Sequence, residues 1–126
     1  MVVISKQVGY WLSGGKEDFA VAKQLIESGK IRHGMFFAHL ALEKILKAHV
    51  CSTTEQLAPR IHNLVRLTEI ADLKVSEKTL DILAEMNEFN LEGRYPLPFL
   101  SSISKSEAQD YIAKTQEVLQ WLMQQL

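Results

Sequence analysis

Apolar side chains recur along this chain at alternating intervals of four and three residues, the spacing of helices that bury one side. Val8, Leu12, Gly15, Phe19, Ala22 and Ile26 follow it and predict a first helix from about Ser5 to Ser28, with Gly29 as the stop. Gly14 and Gly15 inside that helix should each cost about 1 kcal/mol relative to alanine, so they mark either a close helix contact or a weak point. A second helix, from about Ile31 to Cys51, is apolar on most sides through Met35, Phe36, Phe37, Leu40, Leu42, Ile45, Leu46 and Val50. Such a helix belongs at the centre of a bundle. Its exception is a polar stripe of His39, Glu43 and Lys47, stepping by four residues along one face.

Residues 52–61 read as a loop containing Pro59, and His62 to about Leu73 as a short helix with Leu64, Leu67 and Ala71 on one side. A fourth helix is expected from Ser76, a plausible N-cap, to Asn90, with Leu80, Leu83 and Met86 facing inward. Asn87 and Asn90 share the side of Leu80 and Leu83, so the apolar seam turns polar at its end. Leu91 to Ile103 form a loop holding Gly93, Pro96 and Pro98, and loops of this length usually carry function or move. Ser104 and Glu107 form a capping box for a last helix in which Ala108, Tyr111, Thr115, Val118 and Leu122 repeat the seam. The expected fold is all-α, an antiparallel up-and-down bundle of four to five helices, with residues 1–126 as a single domain.

Composition narrows the classes. The chain has 126 residues, 47% hydrophobic and 23% charged, which is ordinary globular composition. One cysteine, Cys51, can form neither an internal disulfide nor a cysteine-rich zinc site; it suits a reducing compartment, and the cytoplasm is the expected location. No apolar run approaches the roughly 20 residues that span a bilayer, so no membrane association is expected. The net charge of −1 implies no global grip on nucleic acid. Its distribution is uneven: residues 30–66 hold 6 basic and 2 acidic side chains, +4, and all four histidines, whereas residues 67–126 hold 5 basic and 10 acidic, −5. Solvated helix faces explain this as readily as a local anion-binding surface does.

Taken alone, Glu43 and Lys47 are an i, i+4 ion pair in the favourable order, worth a few tenths of a kcal/mol. On a nearly apolar central helix, however, the stripe must line a groove or meet partners. His39 and Glu43 also have a spacing compatible with shared metal coordination, but two ligands on one turn recur by chance. With no HExxH motif and no dense acid cluster, neither metal nor other cofactor is expected. His62 falls at the expected start of the third helix, where the helix dipole disfavours protonation; it is either a polar capping-turn residue or a phosphate or ribose ligand. In Arg94-Tyr95-Pro96, proline extends Tyr95 and fixes where Arg94 leaves the backbone, which suits bidentate capture of phosphate or carboxylate, or a tie to an acidic helix end.

Together, Trp11 with Asp18, Ala41-Leu42-Glu43-Lys44 with Lys47-Ala48, His62-Asn63-Leu64 and Arg94-Tyr95-Pro96 resemble the pattern of the HEPN domain family, over nearly the whole chain. The resemblance implies a helical bundle that commonly dimerises, binds nucleotide or RNA, and often pairs with a minimal nucleotidyltransferase as toxin and antitoxin. It also implies, for many members, metal-independent RNA cleavage by an arginine and a histidine four to six residues further on. Here no histidine follows His62, and Arg32 and His39, with six residues between them, lie on the second helix. The expectation is therefore a non-catalytic module binding nucleotide or a nucleotidyltransferase through a groove of Glu43, Lys47, His62, Arg94 and Tyr95. The alternatives are an endoribonuclease using His62 or His39 with an arginine, and a structural homodimer whose polar strip makes only intersubunit salt bridges.

Overall fold

A computed structural model describes residues 2–90 and 103–126. Among these residues the secondary structure is helical, as the periodicity predicts: α1 (Ile4–Glu27), α2 (Ile31–Thr54), α3 (Leu64–Ile70), α4 (Glu77–Met86), a 3-10 turn (Asn87–Phe89) and α5 (Lys105–Gln124). α2 is the axis around which the others pack. Ala38, Ala41, Leu42, Ile45, Leu46 and Ala48 on it are fully buried, and α1, α3 and α5 all lie against it.

The pairing of α1 with α2 is antiparallel and is keyed by two glycines, one on each helix. A Cβ added at Gly15 of α1 would stand 2.7 Å from Ile45 Cδ1 and 3.1 Å from the Ala41 carbonyl oxygen of α2. A Cβ at Gly34 of α2 would meet Ile26 Cδ1 at 2.5 Å and the Ala22 carbonyl oxygen at 3.1 Å, on α1. The same motif thus appears twice with the helices exchanged: a glycine on one helix receives an isoleucine of the other beside an alanine carbonyl. Of the two readings the sequence left open for Gly15, close contact holds; beside it, a Cβ at Gly14 would meet the flexible Lys44 side chain at 3.2 Å. The turn between the helices closes with Gly29 at φ 81°, where the Lys30 N–H donates to the Leu25 carbonyl and the Gly29 N–H to that of Ile26.

Several boundaries differ from the sequence expectation, each for an identifiable reason. α2 runs one turn past Cys51 and ends at Glu55, in the left-handed region with φ 55°. α3 begins at Leu64 rather than His62, because Asn63 is its N-cap: the Asn63 side chain accepts from the Arg66 N–H at 3.1 Å. Asn87 reaches over from the end of α4 to accept from the Leu64 N–H at 2.8 Å and donates to Asn63 Oδ1 at 3.2 Å. The polar end of the α4 seam is therefore a second cap for α3. α3 also stops early, at Asp72 with φ 53°, in the hydrogen-bond pattern of a glycine stop without a glycine. The capping box of α5 is present as expected: Ser104 Oγ accepts from the Glu107 N–H and Glu107 Oε1 from the Ser104 N–H, both at 3.0 Å. The expected loop from Leu91 onward, Ile103 excepted, lies outside the described residues, and Arg94 and Tyr95 with it.

The glycines of α1 separate by environment. Gly9→Ala, with nothing within 4 Å of the new Cβ, should stabilise the protein by up to about 1 kcal/mol through helix propensity. Gly15→Ala, meeting a fully buried isoleucine and a carbonyl, should destabilise it by about 1–3 kcal/mol. Denaturant unfolding of the two single variants measures both signs.

Candidate functional site

The polar stripe of α2 is buried. His39 is 0% exposed, Glu43 4% and Lys47 5%, so almost none of the stripe meets solvent. Their satisfaction comes from within the chain. Glu43 is the hub: Oε2 accepts from Lys47 Nζ at 3.1 Å and Oε1 from the His62 Nδ1–H at 2.9 Å. Because both acidic oxygens are paired and the lysine returns a full positive charge, a carboxylate persists where an isolated one would be expelled. The strip's charges are thus matched inside one chain, which removes the expectation that they serve only as intersubunit bridges.

The two helices of the hairpin contribute the rest of the setting. Lys47 Nζ also lies 5.3 Å from the centroid of Trp11 on α1, so the ammonium has an aromatic face on one side and Glu43 on the other. One turn and more along α1, Asp18 Oδ2 stands 2.7 Å from Lys44 Nζ. Each of the α1 residues in the sequence pattern, Trp11 and Asp18, therefore faces a lysine of α2.

His62 is fixed twice. Its ring is tied to Glu43, and its backbone carbonyl accepts from His39 Nε2–H at 3.2 Å. The ring bond puts a proton on Nδ1, so the neutral imidazole carries its lone pair on Nε2, on a side chain 49% exposed. What reaches the surface is one oriented imidazole, supported by a carboxylate, an ammonium and a second imidazole below it. Sequence spacing brought Glu43, Lys47 and His39 onto one face; His62, which the expected groove also named, meets Glu43 across 19 residues and a loop. The segment 52–66 around His62 further holds Arg60 and Arg66, both exposed. Arg94 and Tyr95 lie outside the described residues.

The two buried histidines are held neutral. Burial pushes His39 down to about 4, against the opposing pull of Glu43. His39 Nδ1 faces Glu43 Oε1 at 4.0 Å and has no hydrogen-bond partner among the described residues. Burial also lowers His49, whose Nε2–H donates to the Leu122 carbonyl at 2.7 Å and joins α2 to the last turn of α5. Cys51 is fully buried beside Trp11, and burial raises its thiol, consistent with a packing role.

Compared with protein families, residues 8–126 match the HEPN domain. No protein with a curated description matches the chain. Among solved structures, TT1696 from Thermus thermophilus superposes with a TM-score of 0.80 at 20% identity, covering 95% of this chain and 98% of that one. ST0689, described as an archaeal HEPN homologue, superposes with a TM-score of 0.74 at 16% identity, covering 94% and 96% respectively. At these identities the two structures establish the shared fold.

His39 gives a stability prediction with a definite sign. Its folded value lies near 4 against about 6.5 when unfolded, so between those pH values the unfolded chain binds the extra proton and stability falls as pH falls. The loss should approach about 3 kcal/mol by pH 4, with His49 adding in the same direction. Unfolding free energy measured at pH 7 and pH 5 checks it: His39→Gln, which cannot take up that proton, should flatten the pH slope relative to the parent.

Proposed function

The chain belongs to the HEPN domain family, and on that premise we propose that it is a nucleotide- or RNA-binding module with His62 as its central contact. The observation that carries the reading is the buried Glu43, bonded at once to Lys47 and to the His62 ring. A half-exposed imidazole fixed in one orientation by a buried charge pair offers a hydrogen-bonding group to phosphate or ribose without losing rotamer entropy on binding. Glu43 and Lys47, being buried and paired, act as its positioning residues rather than as direct ligands. Arg94 and Tyr95 complete the contact surface in this proposal, and Arg60 supplies exposed positive charge nearby. Following the family resemblance, the proposal extends to a homodimer that pairs with a minimal nucleotidyltransferase in a toxin–antitoxin-type system.

A second reading has its own support in the same bond. A carboxylate holding Nδ1–H leaves Nε2 free as a base, the arrangement that a metal-independent endoribonuclease would use to deprotonate a ribose hydroxyl. In that case an arginine must stabilise the phosphorane.

Titration with AMP, ATP and a short single-stranded RNA, followed by the ring-proton resonances of the four histidines, separates these readings. Binding should be saturable, move His62 most, and weaken about tenfold in His62→Ala. Unchanged affinity in that variant would remove His62 from the contact. RNA incubated with the protein and a chelator should remain intact under the binding reading; products that vanish in His62→Ala would transfer the assignment to the nuclease.

A further inference from the structure

Three consecutive residues, His62, Asn63 and Leu64, bridge two elements of the bundle. At one end the His62 ring is bonded to Glu43 of α2. At the other, the Leu64 N–H donates to Asn87 Oδ1 at 2.8 Å, and Asn87 Nδ2–H donates to Asn63 Oδ1 at 3.2 Å. Asn87 is itself well seated: it opens the 3-10 turn between the buried Met86 and Phe89, and that turn packs against α2. The positions of Glu43 and Asn87 are therefore set by one packed core, and the tripeptide is held between them. Residues 57–61, which lead into His62, have no such hold. Among the described residues no backbone–backbone hydrogen bond reaches them, and Ile61 rests on the core by apolar contact. Besides His39, which bonds the His62 carbonyl, the backbone that carries the imidazole is fixed from the side of Asn87.

We propose that Asn87 is a positioning residue for His62: by anchoring Asn63 and Leu64 it keeps the imidazole within reach of Glu43 and in a single tautomer. Its consequence for ligands rests on the reading of His62 as the central contact. The polarity of the hydrogen bonds makes the assignment specific. An N–H can only donate, so the Leu64 N–H requires the oxygen of Asn87 and leaves its NH2 to face Asn63. Asn63 Oδ1 receives both that NH2 and the Arg66 N–H, so it serves only as an acceptor. A carboxylate could therefore replace the amide of Asn63 but not that of Asn87. There its second oxygen would face Asn63 Oδ1, and Asn63 could answer it only by turning away from the Arg66 N–H. A residue that merely caps α3 would act on stability and leave the His62 ring unchanged in every folded molecule.

The test uses the whole chain with isotope-labelled histidine rings, read first without ligand. In the parent, the bond to Glu43 should give the two His62 nitrogens the well-separated resonances of an Nδ1–H tautomer. Asn87→Asp should draw them together as the ring exchanges between tautomers, and Asn87→Ala, which loses both bonds, should do so further. Asn63→Asp should keep the parent pattern. Affinity for a short single-stranded RNA should follow the same order, about fivefold weaker in Asn87→Asp and unchanged in Asn63→Asp. Core methyl resonances identify the folded molecules, and Asn87→Asp, which retains the Leu64 bond, serves where Asn87→Ala does not fold. A folded Asn87→Asp with the parent's ring resonances, or an Asn63→Asp that loses them, would overturn the assignment. A parent chain that binds no RNA or nucleotide would remove the contact reading, while the tautomer would still decide the role of Asn87.

Discussion

A carboxylate sunk into an otherwise apolar helix face can survive only if its charge is answered at once, and Glu43 imposes that demand on the rest of this protein. Lys47 answers it from the next turn of the same helix, and His62 answers it from a loop. Meeting the demand draws the loop down onto α2, so that His39 can reach the His62 carbonyl, and it places Lys47 under Trp11. Removing Glu43 would strand a buried ammonium and release the loop together. One ion therefore links the stability of the bundle to the orientation of the only member of the cluster that meets solvent.

The geometry also separates two roles that share one stripe. Lys47 and Glu43 are nearly inaccessible, whereas His62 is half open. The surface at this point is an imidazole backed by a charge pair, and the pair reaches solvent only through it. Nearby, Arg60 of the loop is exposed, and Arg66 on α3 lies 3.8 Å from Glu69.

Much of the fold was legible because helical periodicity, the Gly29 stop and the Ser104–Glu107 box are local signals, each complete within a few residues. The misplaced start of α3 shows where locality ends. Asn63 competes with His62 for the cap, and the decision is made by Asn87, 24 residues further on, which no window around His62 contains. The early stop at Asp72 was illegible for a different reason: an aspartate occupies a backbone conformation usually signalled by glycine. In the site, spacing identified the stripe on α2 correctly but not its burial, because a groove and a buried network place the same residue types on the same face.

The paired glycine contacts of the α1–α2 hairpin have a consequence for how such a chain can change its length. Gly15 against Ile45 and Ile26 against Gly34 fix two points of one register, and the turn at Ser28–Lys30 lies outside both. A single residue inserted between Gly15 and Ile26 would rotate one lock by about 100° relative to the other. Insertions and deletions that keep both contacts would fall in the turn, at the N-terminal end of α1 or beyond Ile45 on α2. The hairpin works as a fixed ruler, and variation among related chains should collect at its ends.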